Sequence, residues 1–167
     1  MSFCKKLIEH HYGDQVAERS GVPLINHINE GVKILESMGA CQDTINAFRI
    51  HPLVQHDVRL LEFYSGNYTI ATKTIMLAME YRHWANAWLS DKVYKNERAF
   101  ITYDSCPNSG PLVEVAQMLW ADKLQNYKDF LLYHKDTHPR SLELDYYFRT
   151  WLTYLQNENP SFIRPSR

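Results

Sequence analysis

No apolar run in this chain of 167 residues approaches the roughly 18 residues that a membrane span needs. At the N-terminus, Met1-Ser2-Phe3-Cys4-Lys5-Lys6 brings in polar residues too soon for the core of a signal peptide. Cysteine is sparse. Cys4, Cys41 and Cys106 are odd in number, widely spaced and without a Cys-x-x-Cys, which argues against a disulfide framework and fits a reducing cytoplasm. Excess charge of one sign is also missing: 18 Lys and Arg face 19 Asp and Glu, so no global field draws nucleic acid or an anionic membrane. That balance still allows a local basic pocket for a phosphorylated small molecule. Only six glycines and little alternation of apolar with polar residues leave no pattern for a sheet. These absences predict a soluble, cytoplasmic, all-α protein with neither a nucleic-acid nor a membrane partner.

What is present suits a globular core. Hydrophobic residues are 45% and charged residues 22%, an ordinary balance, and the length suits one domain. The reading is a helical domain over 1–157 and a Pro-containing tail over 158–167. Ile25, Ile28, Val32, Leu35 and Met38 step by threes and fours, the stripe of a buried helix face, and Gly39 is placed to stop it. Asp43 can cap a helix through Ile45, Phe48 and Ile50, which Pro52 is expected to interrupt, pushing His51 away from helical geometry. Further helices are predicted from Leu53 to a stop at Ser65-Gly66-Asn67, from about Ile70 to Ser90, from Leu112 to Tyr133, and from Thr137 or His138 onward. The loop 103–111 is the clearest break.

Three stretches carry candidate chemistry. The first runs from Arg19 through Gly21-Val22-Pro23-Leu24-Ile25-Asn26-His27. Ala47-Phe48-Arg49-Ile50-His51 is the second, and Ala121-Asp122-Lys123-Leu124-Gln125-Asn126 the third. Two histidines and an aspartate on three helices can hold a divalent first-row ion, since imidazole nitrogen and carboxylate oxygen suit borderline to hard metals. Each residue also has a plainer reading. His27 can be a core histidine bonded to a carbonyl, His51 a structural cap, and Asp122 a partner of Lys or Arg. Asn126, one turn beyond Asp122, can orient it with or without an ion. Lys123 and Lys128 can meet phosphate or simply be solvated. Tyr81-Arg82-His83-Trp84 reads as core aromatics, with Arg82 or His83 able to face a pocket. His10, His11, His134 and His138 are expected on solvated surfaces.

The three stretches, in this order, resemble the RelA/SpoT-type HD hydrolases, in particular their stand-alone metazoan relatives. In that family a Gly-x-Pro-Tyr-Ile-x-His segment, a His-Asp segment and an Ala-Asp-Lys/Arg-Leu-x-Asn segment supply the metal ligands. The resemblance covers roughly residues 15–57 and 108–131. It implies a compact multi-helix HD-domain bundle, a manganese-like divalent ion on His27, His51 and Asp122, and removal of pyrophosphate from the 3′ position of a nucleotide. It also puts Arg19 and Asn126 where the family contacts substrate or supports the site; Lys123 beside them is read as a further substrate-binding residue.

The chain departs from the pattern where the chemistry is densest. Pro52 stands where the family has its metal-binding aspartate, and Gln55 and His56 replace an acidic pair; they are the residues left to orient a water. Either His56-Asp57 swings inward to compensate, or the remaining trio holds a weakened metal alone. Three functions stay open: a phosphohydrolase with an altered site, an inactive domain that binds a phosphorylated nucleotide, and a protein-interaction module using its aromatic C-terminal helix.

Overall fold

The structure, a computed structural model, describes residues 2–18, 20–66, 68–87 and 110–158. Among these residues the chain is all-α, with seven helices and no strand. One isolated antiparallel bridge, Val16 with Pro23, closes the loop before the second helix. Among the described residues no helix is long and apolar enough to cross a membrane.

Helix α1 (Phe3–Tyr12), which the apolar pattern had not marked, buries Cys4 and Ile8 one turn apart. Helix α2 (Ile25–Ser37) buries Ile28, Val32 and Leu35, the stripe expected of it. It ends at Gly39, whose φ of 70° only glycine adopts cheaply and whose N–H donates to Glu36 O at 3.1 Å. Gly31 is needed for a different reason. A Cβ there would stand 2.2 Å from Phe48 Cζ, so the absence of a side chain lets α2 close onto the next helix.

That helix, α3 (Gln42–Gln55), is the centre of the molecule and packs on α1, α2, α4, α5 and α6. Cys41, not Asp43, stands at its N-cap; Asp43 lies in the first turn and accepts a hydrogen bond from Thr74 Oγ1 at 3.0 Å. The expected break at Pro52 is also overturned. The helix runs through Pro52 to Gln55, and the chain turns extended only at His56 (φ −106°, ψ 142°). Burial of Phe48, Ile50, Leu53 and Val54 in the core outweighs the proline penalty of about 3 kcal/mol.

Helix α4 (Asp57–Ser65) follows, then α5 (Thr72–Ala87), α6 (Val113–Tyr133) and α7 (Ser141–Glu158). The last helix starts later than Thr137 because 134–140 folds as successive turns. The expected continuation of α5 to Ser90, most of the 103–111 loop and most of the 158–167 tail lie outside the described residues. Helix α6 packs against α2, α3, α5 and α7, bringing Asp122 towards the helices that carry the two histidines.

Candidate metal centre

His27 from α2, His51 from α3 and Asp122 from α6 each offer a ligand atom, and these atoms lie within 4.8 Å of one another. All three line one cavity of about 650 Å³. His51 and Asp122 are buried and His27 is half-buried.

How each imidazole is held follows from local chemistry. In an uninterrupted helix the Phe48 carbonyl would accept the N–H of residue 52, but Pro52 has none. The His51 ring takes that place, with Nδ1 2.6 Å from Phe48 O. A ring nitrogen facing a carbonyl carries the proton, which leaves the Nε2 lone pair free. Pro52, which supplies no metal-binding side chain, therefore frees the carbonyl that orients the neighbouring His51.

His27 is fixed from farther away. Its Nδ1 lies 2.6 Å from Gln125 Oε1, while Gln125 Nε2 donates to Asp129 Oδ2 at 2.7 Å and to Glu30 Oε2 at 3.2 Å. Two carboxylates at one end pin the amide NH2 there, so its carbonyl faces His27 and Nδ1 is the donor. His27 Nε2 then faces Asp122 Oδ1 at 3.3 Å, and two lone pairs at that distance need a proton or a cation between them. Ligand histidines held at the far nitrogen in this way are the usual supporting arrangement of a metal site.

Electrostatics sharpen the picture. Burial pushes the Asp122 carboxyl up, but the Lys123 ammonium and the His27 ring outweigh it and hold it far below the ordinary carboxylate range. Lys123 Nζ stands 2.9 Å from Asp122 Oδ2, and Asn126 Nδ2 donates to Oδ1 at 3.0 Å. Burial lowers Lys123, yet Asp122 wins and raises it, so its charge is retained. Burial also lowers His27, and the hydrogen bond and charge of Asp122 reverse that to a net rise. For His51, burial and then the nearby His27 bring the pKa down to about 4, so it is a neutral donor at pH 7. Tyr81 packs on it with ring centroids 4.8 Å apart.

The set fits a divalent first-row ion in donor type: two imidazoles and one carboxylate. Bonds near 2.1 Å place two ligand atoms no more than about 4.2 Å apart, so atoms within 4.8 Å of one another need to close by no more than about 0.6 Å on binding. Lys123 already neutralises Asp122, so an ion enters a site with no net negative charge and binds less tightly than at an uncompensated carboxylate.

The other sequence-predicted residues divide. Gln55 and His56 line the cavity without joining the trio. Asp57 does not compensate for Pro52: its side chain is 88% exposed and pairs with Arg82. Arg82 and His83 do not line the cavity; Tyr81 does. Lys123, read as a phosphate contact or else as solvated, is buried against Asp122 and lines the cavity, and Asn126 lines it too. Arg19 lies outside the described residues. His134 and His138 line the cavity rather than an open surface, and His11 Nε2 accepts a hydrogen bond from Arg59 at 2.6 Å. Sequence reasoning missed Gln125 and Arg59. Only the helical spacing of Gln125 from Asp122 and Asp129 hinted at the first. Comparison with protein-family models, with curated proteins and with solved structures finds no match.

Proposed function

We propose that this chain is an HD-type helical domain, akin to the RelA/SpoT hydrolases, that binds a manganese-like divalent ion and through it a phosphorylated nucleotide or similar small molecule. The observation that carries this reading is the meeting of His27, His51 and Asp122, with both imidazoles tied at Nδ1 and so able to offer Nε2. A bound ion would neutralise phosphate charge and lower the pKa of a bound water. Asn126 steadies the carboxylate, and Gln55 and His56 form the neighbouring wall.

Binding is favoured over turnover. Among the described residues the carboxylates lining the cavity are Asp122, held by Lys123, and Asp129, held by Lys128 and Gln125. Neither carboxylate stands unpaired and Gln55 offers no base, so turnover would fall to the lining histidines His56, His134 and His138. Titration of chelator-stripped protein with Mn2+ tests the reading. One ion per chain, lost in His51→Ala, is expected, together with stabilisation by nucleotide that depends on the ion. Absence of uptake in the unaltered protein overturns it. Pyrophosphate release measured alongside separates binding from hydrolysis.

A second reading is supported by Lys123 alone. Its ammonium, 2.9 Å from Asp122 Oδ2, can serve as the permanent cation of a metal-free pocket. Lys123→Met distinguishes the two. Removing one partner of a buried pair costs about 3–5 kcal/mol in metal-free protein. Under the metal reading Mn2+ restores that loss and binds more tightly than in the unaltered chain; under the lysine reading it does neither.

A further inference from the structure

We propose that Arg59, clamped by His11, is a second anion-binding station in the same cavity, one that receives a phosphate or pyrophosphate group without needing the metal. It rests on the proposed function for the identity of the natural ligand, though not for the binding itself.

Arg59 lies in the first turn of α4, is half-buried and lines the cavity. One Nη of its guanidinium donates to His11 Nε2 at 2.6 Å. A ring nitrogen that accepts from arginine is unprotonated, so His11 fixes the guanidinium without cancelling its charge. Among the described residues no carboxylate forms an ion pair with Arg59. The other cation lining the cavity, Lys123, is matched by Asp122, and the other acid, Asp129, is matched by Lys128 outside the lining. Arg59 therefore leaves the cavity wall with a positive charge that no carboxylate among the described residues pairs directly, although the charge of Glu62 on the same helix is felt at His11, and most N–H donors of its planar fork are unspent.

Such a fork matches the oxygens of phosphate in bidentate fashion, and clamping it in advance removes part of the ordering cost of binding. His56, three residues earlier and exposed, lines the same wall and can add a donor. A cavity of about 650 Å³ is within the usual range for a small-molecule site, and both Arg59 and the trio line it.

The test is calorimetric titration of the full chain with inorganic pyrophosphate in the presence of a chelator, with Mn2+ uptake measured separately. Arg59→Gln is expected to weaken pyrophosphate at least about tenfold, roughly the loss of one charged hydrogen-bond pair. Arg59→Lys, which keeps the charge and loses the fork, should fall between. Arg49→Gln is the control: Arg49 is also half-buried and bonded to a neutral group, Asn46 Oδ1 at 3.1 Å, but does not line the cavity, so binding should be unchanged. Mn2+ uptake should be the same in Arg59→Gln as in the unaltered protein. Pyrophosphate binding that is absent under chelation, or equal in Arg59→Gln and Arg59→Lys to the unaltered chain, overturns the proposal. If Arg59→Gln does not fold, Arg59→Lys and His11→Ala decide the question by the same comparison. Failure of Mn2+ to bind the unaltered chain would sink the metal reading and leave this one standing on its own titration.

Discussion

Replacing Gln125 by methionine keeps the volume of a side chain that is 2% exposed and removes both ends of its amide. Three contacts go: the acceptor for His27 Nδ1 at 2.6 Å, and the donors to Asp129 and Glu30. These losses are unequal. Glu30 and Asp129 keep Lys128, and their side chains are 37% and 29% exposed, so water replaces what they lose at little cost. The His27 Nδ1 donor, facing the interior, has no such substitute, and stranding one buried polar group costs about 1–3 kcal/mol. Asp122 Oδ1, 3.3 Å from Nε2, is then the remaining acceptor, so metal-free His27 keeps its proton on Nε2 and loses the preference for Nδ1–H that leaves Nε2 open to an ion. Loss of a supporting hydrogen bond to a metal ligand typically lowers affinity about 10–100-fold. Urea unfolding of metal-free Gln125→Met should show the stability loss, Mn2+ titration the affinity loss, and nitrogen-15 shifts of His27 the loss of Nδ1–H. Destabilisation under about 0.5 kcal/mol with the tautomer unchanged would refute the assignment of Gln125 as the residue that positions His27.

Two further outcomes follow from the same geometry. In metal-free protein His51 takes up its proton only near pH 4, whereas unfolded histidine does so near 6.5. Stability is therefore lost as pH falls between those values, by about 3 kcal/mol at about 1.4 kcal/mol per unit. His27, whose pKa is raised, contributes in the opposite sense, but its share is already complete below 6.5. His11, whose pKa is lowered by burial and then by Arg59, loses stability in the same window, so the loss is shared by His51 and His11. His51→Gln should make that slope shallower in denaturant titrations, leaving the part that belongs to His11, and an unchanged slope would contradict it. Pro52→Asp places a carboxylate beside His51 on the cavity wall and should tighten Mn2+ about 10–100-fold, measured by competition with a chelator. Unchanged affinity would mean that position 52 does not face the ion.

The parts of this fold that were legible in sequence are those where burial repeats with the helical period. Ile28, Val32 and Leu35 predict α2 from spacing alone, and the unbroken apolar content of α6 predicts its length. The order of three short stretches brought His27, His51 and Asp122 into one hypothesis, and their ligand atoms do converge. Pro52 misled because its local penalty is visible in sequence while the compensations are tertiary: a buried α3 and a histidine ring on the freed carbonyl. Lys123 misled in another way. Neighbours along a helix do not ordinarily face each other, so adjacency to Asp122 gave no sign of their ion pair. Gln125 and Arg59 reach partners 98 and 48 residues away, and no local pattern reports such contacts.

Electron spin-echo modulation of the Mn2+-loaded protein tests the central claim most directly, because it detects nitrogen bound to the ion. The account predicts coupling from two imidazole nitrogens, reduced to one in His27→Ala and in His51→Ala. A spectrum with water protons alone, in protein that has taken up one equivalent, would contradict it.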